Sequence, residues 1–221
     1  MAPVRIGTWN LEGRGGAAQT GFLLAQDCDV LLLTEVKYGW SLPGYNLTPG
    51  SPDMGPSKRW AAVASREPLA PCLPPHPASV AAIVGGTTYV SSILPWAGSG
   101  GDYPWHGADH PARMAGTLQA LAPFLRDQAD LVWGGDWNHS LAGSERAGSR
   151  AGRGGLLSLI GELGLSVPTA GLSHRVPGLL SIDHVALRGG ANEARRVVAS
   201  QNGMRLSDHD LYVVVRQDSS F

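Results

Sequence analysis

Lysine is almost missing from this chain: Lys37 and Lys58 are the only two in 221 residues, and arginine carries nearly all the positive charge. Together with 30 glycines and abundant alanine, this skew reads as a bias toward GC-rich codons and not as a functional signal. The formal net charge is −1. There is no global basic field, which excludes a protein that holds long nucleic acid by bulk electrostatics alone. Cysteine is scarce too. Cys28 and Cys72 stand in no metal-type spacing, so a disulfide framework and a zinc cluster are excluded, and a reducing compartment is expected with Cys28 as a buried thiol. No apolar run approaches the about 18 residues of a membrane-spanning helix. Residues 4–9 alternate like a strand and do not form a leader. The expectation is a cytoplasmic, soluble protein with no membrane insertion and no evident partner protein.

What is present is enough apolar material for a large core. Hydrophobic residues make up 43% and charged residues 16% of the chain. A domain of this size buries roughly 70–75% of the surface its unfolded chain exposes. No internal repeat or linker divides the chain, which predicts a single domain over residues 1–221.

The spacing predicts a strand at 3–10, a helix at 16–27 and a continuous apolar strand at 29–34, a β-α-β opening. Residues 39–58 read as loop, with a short strand near 45–47, and 60–65 as a strand. Residues 67–77 hold five prolines and are not expected inside a sheet. Apolar runs at 79–84 and 87–94 flank Gly85-Gly86 and predict a hairpin. A helix follows at 112–127, disturbed by Pro123, then a strand at 131–136, a mobile Gly/Ser/Arg loop at 139–155 and a helix at 155–163. Strands near 181–187, 195–200 and 211–217 complete the chain. Strands outnumber helices, and hairpins mix with crossovers. The predicted class is α/β (α+β), with two mixed sheets packed face to face and flanked by helices.

The most informative stretch is Gly134-Gly135-Asp136-Trp137-Asn138, a sharp turn after the apolar run Leu131-Val132-Trp133. It delivers an acid and an amide to a strand end, where α/β proteins place chemistry. Thr8-Trp9-Asn10, Leu33-Thr34-Glu35, Ser181-Ile182-Asp183-His184 and Ser207-Asp208-His209 end, interrupt or precede strands in the same way. Phosphate-ester hydrolysis needs a metal ion on the phosphate oxygens, a group that orients water, and donors for the charged transition state. Mg²⁺ prefers one or two carboxylates plus waters and substrate oxygens. Glu35 suits it, helped by Asn10 and Asp208. Asp136 is the candidate for orienting water. Asn138, two residues on, is the candidate phosphate donor, and His209 held by Asp183 is the proton donor or phosphate clamp.

This set resembles the endonuclease/exonuclease/phosphatase superfamily. The resemblance rests on Thr-Trp-Asn-Leu at 8–11, Leu-Leu-Thr-Glu at 32–35, Gly-Gly-Asp-Trp-Asn at 134–138, Ile-Asp-His-Val at 182–185 and Ser-Asp-His at 207–209. It implies a four-layer α/β sandwich and a Mg²⁺- or Mn²⁺-dependent phosphoesterase. It implies that Asn10 and Glu35, with Asp208 close by, form the metal site. Asp136 would orient the attacking water, Asn138 hold the phosphate, and Asp183 pair with a His209 that contacts the scissile phosphate.

One departure stands out. Ile93 falls where abasic-site endonucleases carry a tyrosine, and Trp96 falls where a phosphate-binding asparagine is expected. His106, His110 or Arg113 could supply a replacement. His139, taken as solvent-exposed beside the site, could touch substrate. Arg146, Arg150 and Arg153 belong to one loop that reads either as solvated surface or as a phosphate-gripping flap. Trp96, Tyr103 and Trp105 read equally as loop anchors or as a stacking platform for a base. His184, on the opposite strand face from Asp183, is expected to be structural. The leading expectation is a nuclease acting on DNA. The alternatives are a phosphatase or phosphodiesterase for a small or lipid-derived phosphate, and a catalytically weakened binding module.

Overall fold

Continuous apolar runs at 30–33 and 131–133 predict strands covered on both faces, and both are covered that way. The structure is a computed structural model that describes residues 3–48, 54–73 and 75–216. Along the chain run β1 (Val4–Asn10), α1 (Ala17–Leu24), β2 (Val30–Lys37), β3 (Asn46–Leu47), β4 (Lys58–Ser65), β5 (Ala70–Pro71), β6 (Ser79–Val84) and β7 (Thr87–Ile93). Next come α2 (His110–Arg126), β8 (Leu131–Asp136), α3 (Arg150–Glu162), β9 (Leu165–Ser166), β10 (Asp183–Arg188), β11 (Ala191–Val197), β12 (Ser200–Gln201), β13 (Met204–Arg205) and β14 (Leu211–Arg216).

Two six-stranded sheets form, in the orders β11-β14-β1-β2-β4-β3 and β5-β6-β7-β8-β10-β9. Each is mixed: β1 pairs parallel with β2 and β7 with β8, while the other neighbours are antiparallel. Alternation along each strand divides the core. Val30 and Leu32 join Ile6, Val63, Val132 and Val214 between the sheets. Leu31 and Leu33 point the other way, into the layer that holds Leu23 of α1. On the second sheet Val90 and Trp133 pack outward against Met114, Leu121, Leu156 and Ile160 of α2 and α3. The result is the four-layer sandwich expected from the sequence.

Several local expectations change. α1 is shorter than 16–27, and α2 begins at His110 because Asp109 caps it, accepting from the Ala112 amide at 2.9 Å. Pro123 stays inside α2, in its last turn. The loop expected over 139–155 ends early: Ser149 accepts from the Gly152 amide and starts α3 at Arg150. The proline-rich 67–77 segment does contribute β5, but at a sheet edge, where a missing N–H costs no ladder bond. The final strands are bounded differently, with β11 at 191–197 and a separate β12–β13 hairpin. The hairpin at Gly85-Gly86 forms as expected, both glycines at positive φ.

Candidate active site

The five motif segments, four bearing an acid and one the Asn10 amide, arrive at one edge of the sandwich because of the strand directions. Asn10 ends β1 and Thr34 is its parallel partner on β2, which puts Glu35 one step further along. Asp136 ends β8, and Asp183 begins β10 directly opposite it in the antiparallel register. Asp208 and His209 precede β14, the antiparallel partner of β1. The carboxylates of Glu35, Asp136 and Asp183 at strand ends and of Asp208 in a loop, with the Asn10 amide among them, therefore gather at one edge of both sheets.

The glycines of the 134–138 turn are required by close packing. A Cβ on Gly134 would lie 2.7 Å from Leu32 Cδ1 and collide with the His184 carbonyl. One on Gly135, at φ +124°, would collide with the Ser92 carbonyl. β8 can slot between β7 and β10 only without those side chains. Glu35 (φ 49°) and Asn138 (φ 54°) sit in the left-handed region, which costs a non-glycine residue about 1–2 kcal/mol. Strain of this kind persists where surrounding bonds over-determine the backbone. Here the Glu35 carbonyl is held by the Gly13 amide at 2.8 Å. Asn138 is held by its own amide, which donates to Asp136 Oδ1 at 3.1 Å.

Asn10 is the bridge of the cluster. Its Nδ2 donates to Glu35 Oε1 at 3.2 Å and to Asp136 Oδ2 at 3.0 Å, while its Oδ1 accepts the Glu12 amide at 2.8 Å. His209 Nδ1 lies 2.8 Å from Asp183 Oδ2. His209 Nε2 lies 3.8 Å from Asp136 Oδ2 and 3.9 Å from Asp208 Oδ1, too far for hydrogen bonds. One ring nitrogen is thus committed, and the other faces an acidic gap. Trp9 Nε1 donates to the His209 carbonyl at 3.1 Å, and Ser207 Oγ accepts from the His209 amide at 3.1 Å. Both fix the loop that carries His209.

The electrostatics follow from burial among like charges. Burial lifts Asp136 first; His209 opposes, Asp183 adds to the rise, Asn10 opposes and Glu35 adds, and the carboxyl is pushed up to about 7. Burial alone would lower His209, but Asp183 and then Asp136 overcome it and raise the imidazole to about 10. His209 is therefore a cation at neutral pH, and Asp136 changes charge near it. Asp136, Asp183 and His209 offer ligand atoms within 4.8 Å of one another. A protonated imidazole is a poor metal ligand, however, so the Glu35 carboxylate is the better seat for a hard divalent cation. A cation already sits there: the Lys58 ammonium pairs with Glu35 Oε2. Asp183 Oδ1 is buried with no hydrogen-bond partner among the described residues.

The remaining expected residues divide. Asn138 is buried and its Nδ2 donates to the Leu94 carbonyl at 3.0 Å, which uses one of its two amide N–H groups. Asp208 is half exposed, and its amide donates to Glu12 Oε2 at 3.0 Å. Trp96 is half-buried and meets Trp105 edge-on at 5.1 Å. Trp105 is buried and packs on Trp60, so it anchors the loop, while Tyr103 is exposed. Arg146 and Arg150 are exposed.

His139 is not exposed, which corrects the sequence expectation. It is fully buried, its Nδ1 2.8 Å from the Trp137 carbonyl and its ring covered by Gly148 and Gly152. His110 is buried with both nitrogens engaged, by Ser149 Oγ at 2.8 Å and the Pro95 carbonyl at 2.9 Å. Arg113 is buried in α2 with Nη1 3.5 Å from the Gly107 carbonyl. The structure does not bring these three to the mouth of the site. His184 is structural as expected, held between Thr169 Oγ1 at 3.2 Å and the His139 carbonyl at 2.9 Å. Sequence reasoning missed Lys58, Glu12 and Ser207, whose Oγ also donates to the Asn10 carbonyl at 2.6 Å and so bridges β1 to the His209 loop. Of these only Ser207 lay in a quoted motif.

A carboxylate-rich cluster with a clamped imidazolium, at the strand ends of a two-sheet sandwich, has the parts of a phosphate-ester hydrolase. Residues 7–209 match the Endonuclease/Exonuclease/phosphatase family, and the chain belongs to that family of hydrolytic nucleases and phosphatases. Among solved structures, an AP endonuclease from Archaeoglobus fulgidus superposes with a TM-score of 0.73 at 16% identity, covering 97% of this chain and 100% of that one. The 3′ phosphatase NExo from Neisseria, bound to product DNA hairpin, gives 0.69 at 20% identity over 97% and 99%. The AP endonuclease LMAP from Leishmania major gives 0.67 at 12% over 98% and 88%. At these identities the likeness is one of fold. No curated protein matches the chain in sequence. No helix among the described residues is long and apolar enough to cross a membrane.

Proposed function

We propose that this chain is a divalent-metal-dependent phosphodiesterase acting on DNA, with residues 1–221 forming one catalytic domain that works in the cytoplasm. The observation that carries the reading is the continuous chain Glu35–Asn10–Asp136, facing the Asp183–His209 pair across a gap that His209 Nε2 does not close. The solved structures similar in fold include AP endonucleases and a 3′ phosphatase bound to DNA, which supports nucleic acid as the substrate.

Glu35 would hold Mg²⁺ or Mn²⁺, with Asp208 close by. Asn10 would fix the Glu35 carboxylate through Nδ2, and its Oδ1, which accepts the Glu12 amide, keeps a second lone pair for the ion. The bound ion would supply charge neutralisation at the phosphate and its leaving oxygen. Asp136, near 7 through burial, is poised to orient a water and accept its proton. Its carboxylate is aimed by the Asn138 amide on one oxygen and Asn10 on the other. His209 carries a proton on Nε2 that it can donate to a phosphate oxygen as negative charge develops, and Asp183 keeps it charged and oriented. Asn138 adds a donor on the same side. Arg146 and Arg150, exposed near the start of α3, are the proposed outer phosphate contacts. Trp96, half-buried against Trp105, is the proposed apolar wall in place of a polar residue.

The test is a panel of single-stranded, duplex and abasic DNA beside phosphomonoesters and lipid headgroup diesters, each with Mg²⁺, Mn²⁺ or chelator. DNA cleavage that chelator abolishes is expected. The net charge of −1 favours the second reading, a phosphatase or phosphodiesterase for a small or lipid-derived phosphate. Turnover of those substrates without DNA cleavage would establish it.

A further inference from the structure

One cavity outside the catalytic cluster has the chemistry of a ligand site. It measures about 250 Å³ and lies where β2 runs out, lined by Lys37, Tyr38, Trp40 and Arg59 over a floor that includes Val36 and Leu47. The Arg59 guanidinium stacks over the Tyr38 ring at 4.6 Å. Tyr38 is 49% exposed, so this cation–aromatic pair stands open at the rim. Trp40 forms a second aromatic wall, fixed by its Nε1 donating to Thr20 Oγ1 at 3.2 Å.

The charge around this cavity departs from the rest of the chain. Both lysines of a lysine-poor protein meet here as a direct cross-strand pair, Lys37 opposite Lys58, with Arg59 opposite Val36 beside them. Like charges placed opposite one another on a sheet cost stability. Glu35 answers Lys58, whereas Lys37 is exposed with no acidic partner among the described residues. With a net charge of −1 overall, the Lys37 ammonium gives the mouth of this cavity a local anion preference and not a global one. The cavity is also close to the chemistry. Tyr38 lies three residues beyond Glu35, about 10 Å along an extended backbone.

We propose that this cavity is a subsite for one nucleotide of a single-stranded segment adjoining the scissile phosphate. The base stacks on the Tyr38–Arg59 face against Trp40, and its phosphate meets Lys37. The proposal rests on the nucleic-acid reading above and adds to it. Stacking of this kind is tolerant of sequence and requires an unpaired base. The subsite therefore selects single-stranded over duplex flanks and contributes binding without touching the reacting atoms.

The test is binding of a fluorescein-labelled single-stranded oligonucleotide to the full chain in chelator, read by anisotropy, so that catalysis does not enter. Hydrolysis of bis(p-nitrophenyl) phosphate with Mn²⁺ is measured in parallel. Tyr38→Ala and Arg59→Ala are expected to weaken oligonucleotide binding about tenfold each, Tyr38→Phe to restore it, and Lys37→Ala to lower the salt dependence by about one ion. Hydrolysis of the small diester is expected to be unchanged in all four. Unchanged affinity in Tyr38→Ala and Arg59→Ala, a Tyr38→Phe as weak as Tyr38→Ala, or a wild-type chain that does not bind the oligonucleotide would each overturn the subsite. Failure of the small diester to turn over, with these affinities intact, would instead sink the proposed activity and leave the subsite standing.

Discussion

Replacing Asp183 by asparagine isolates the electrostatic half of the site. Asp183 is 1% exposed, with Oδ2 2.8 Å from His209 Nδ1. An amide of the same shape can still accept that bond but no longer carries charge. At about 1.4 kcal/mol per tenfold change, the rise of His209 from 6.5 to about 10 is worth about 5 kcal/mol of preference for the imidazolium. Burial opposes this rise, and Asp183 is the largest influence sustaining it. Without Asp183, Asp136 must sustain the charge almost alone, at a greater distance. The imidazole of Asp183→Asn is therefore expected to titrate below about 8 in metal-free protein. The assay is a proton NMR titration of the His209 Cε1–H in chelator, wild type against variant. The sign also shows in stability. A raised folded value contributes stability fully below about 6.5, and the contribution is lost as pH climbs through about 10. Wild-type denaturation midpoints should fall over that alkaline window, and those of the variant should fall much less. A His209 that titrates near 10 in the variant, or near 6.5 in the wild type, refutes the reasoning.

Two further outcomes follow from packing and burial. Gly135→Ala places a methyl group against the Ser92 backbone at φ +124° and should cost about 3–5 kcal/mol. Gly164→Ala, also at positive φ (+63°) but with nothing within 4 Å, should cost only about 1 kcal/mol; equal urea midpoints for the two would contradict the account of the turn. His76 and His184 are both held down to about 4, chiefly by burial. Their neutral forms stabilise the fold above about 6.5, and that contribution is lost as pH falls through about 4. Chemical denaturation across this acid range should show falling stability that His184→Gln makes shallower, and an unchanged slope would argue against a buried neutral imidazole.

The layers were legible because their signals are local. Val30–Leu33 and Leu131–Trp133 are apolar without alternation, and only burial on two faces suits them. Gly85-Gly86 dictated a hairpin by conformation alone. The five polar segments were legible as motifs, and strand direction brought their Asn10, Glu35, Asp136, Asp183 and His209 together. Placement on the wall of the site was not legible. Histidine beside an active motif suggests exposure, yet His139 turns inward because its Nδ1 is spent on the Trp137 carbonyl two residues back. His110 is consumed by joining the 95 and 149 loops. Lys58 carries no motif, and its pairing with Glu35 arises from the β2–β4 register, which periodicity does not reveal. Arg153 looked like part of a flap, but it donates to the Gly143 and Leu141 carbonyls at 2.7 and 2.9 Å and ties the loop down.

The central claim is that Asp136, supported by Asn10 and facing His209, activates water for a metal-assisted attack on a phosphodiester. Its most direct test is the single-turnover rate of DNA cleavage by wild type and Asp136→Asn, with saturating Mg²⁺ or Mn²⁺ and again in chelator. Cleavage that requires the metal and falls about 10²–10⁴-fold in the variant is the expected result. Cleavage that survives the chelator, or a variant as fast as the wild type, would contradict the claim.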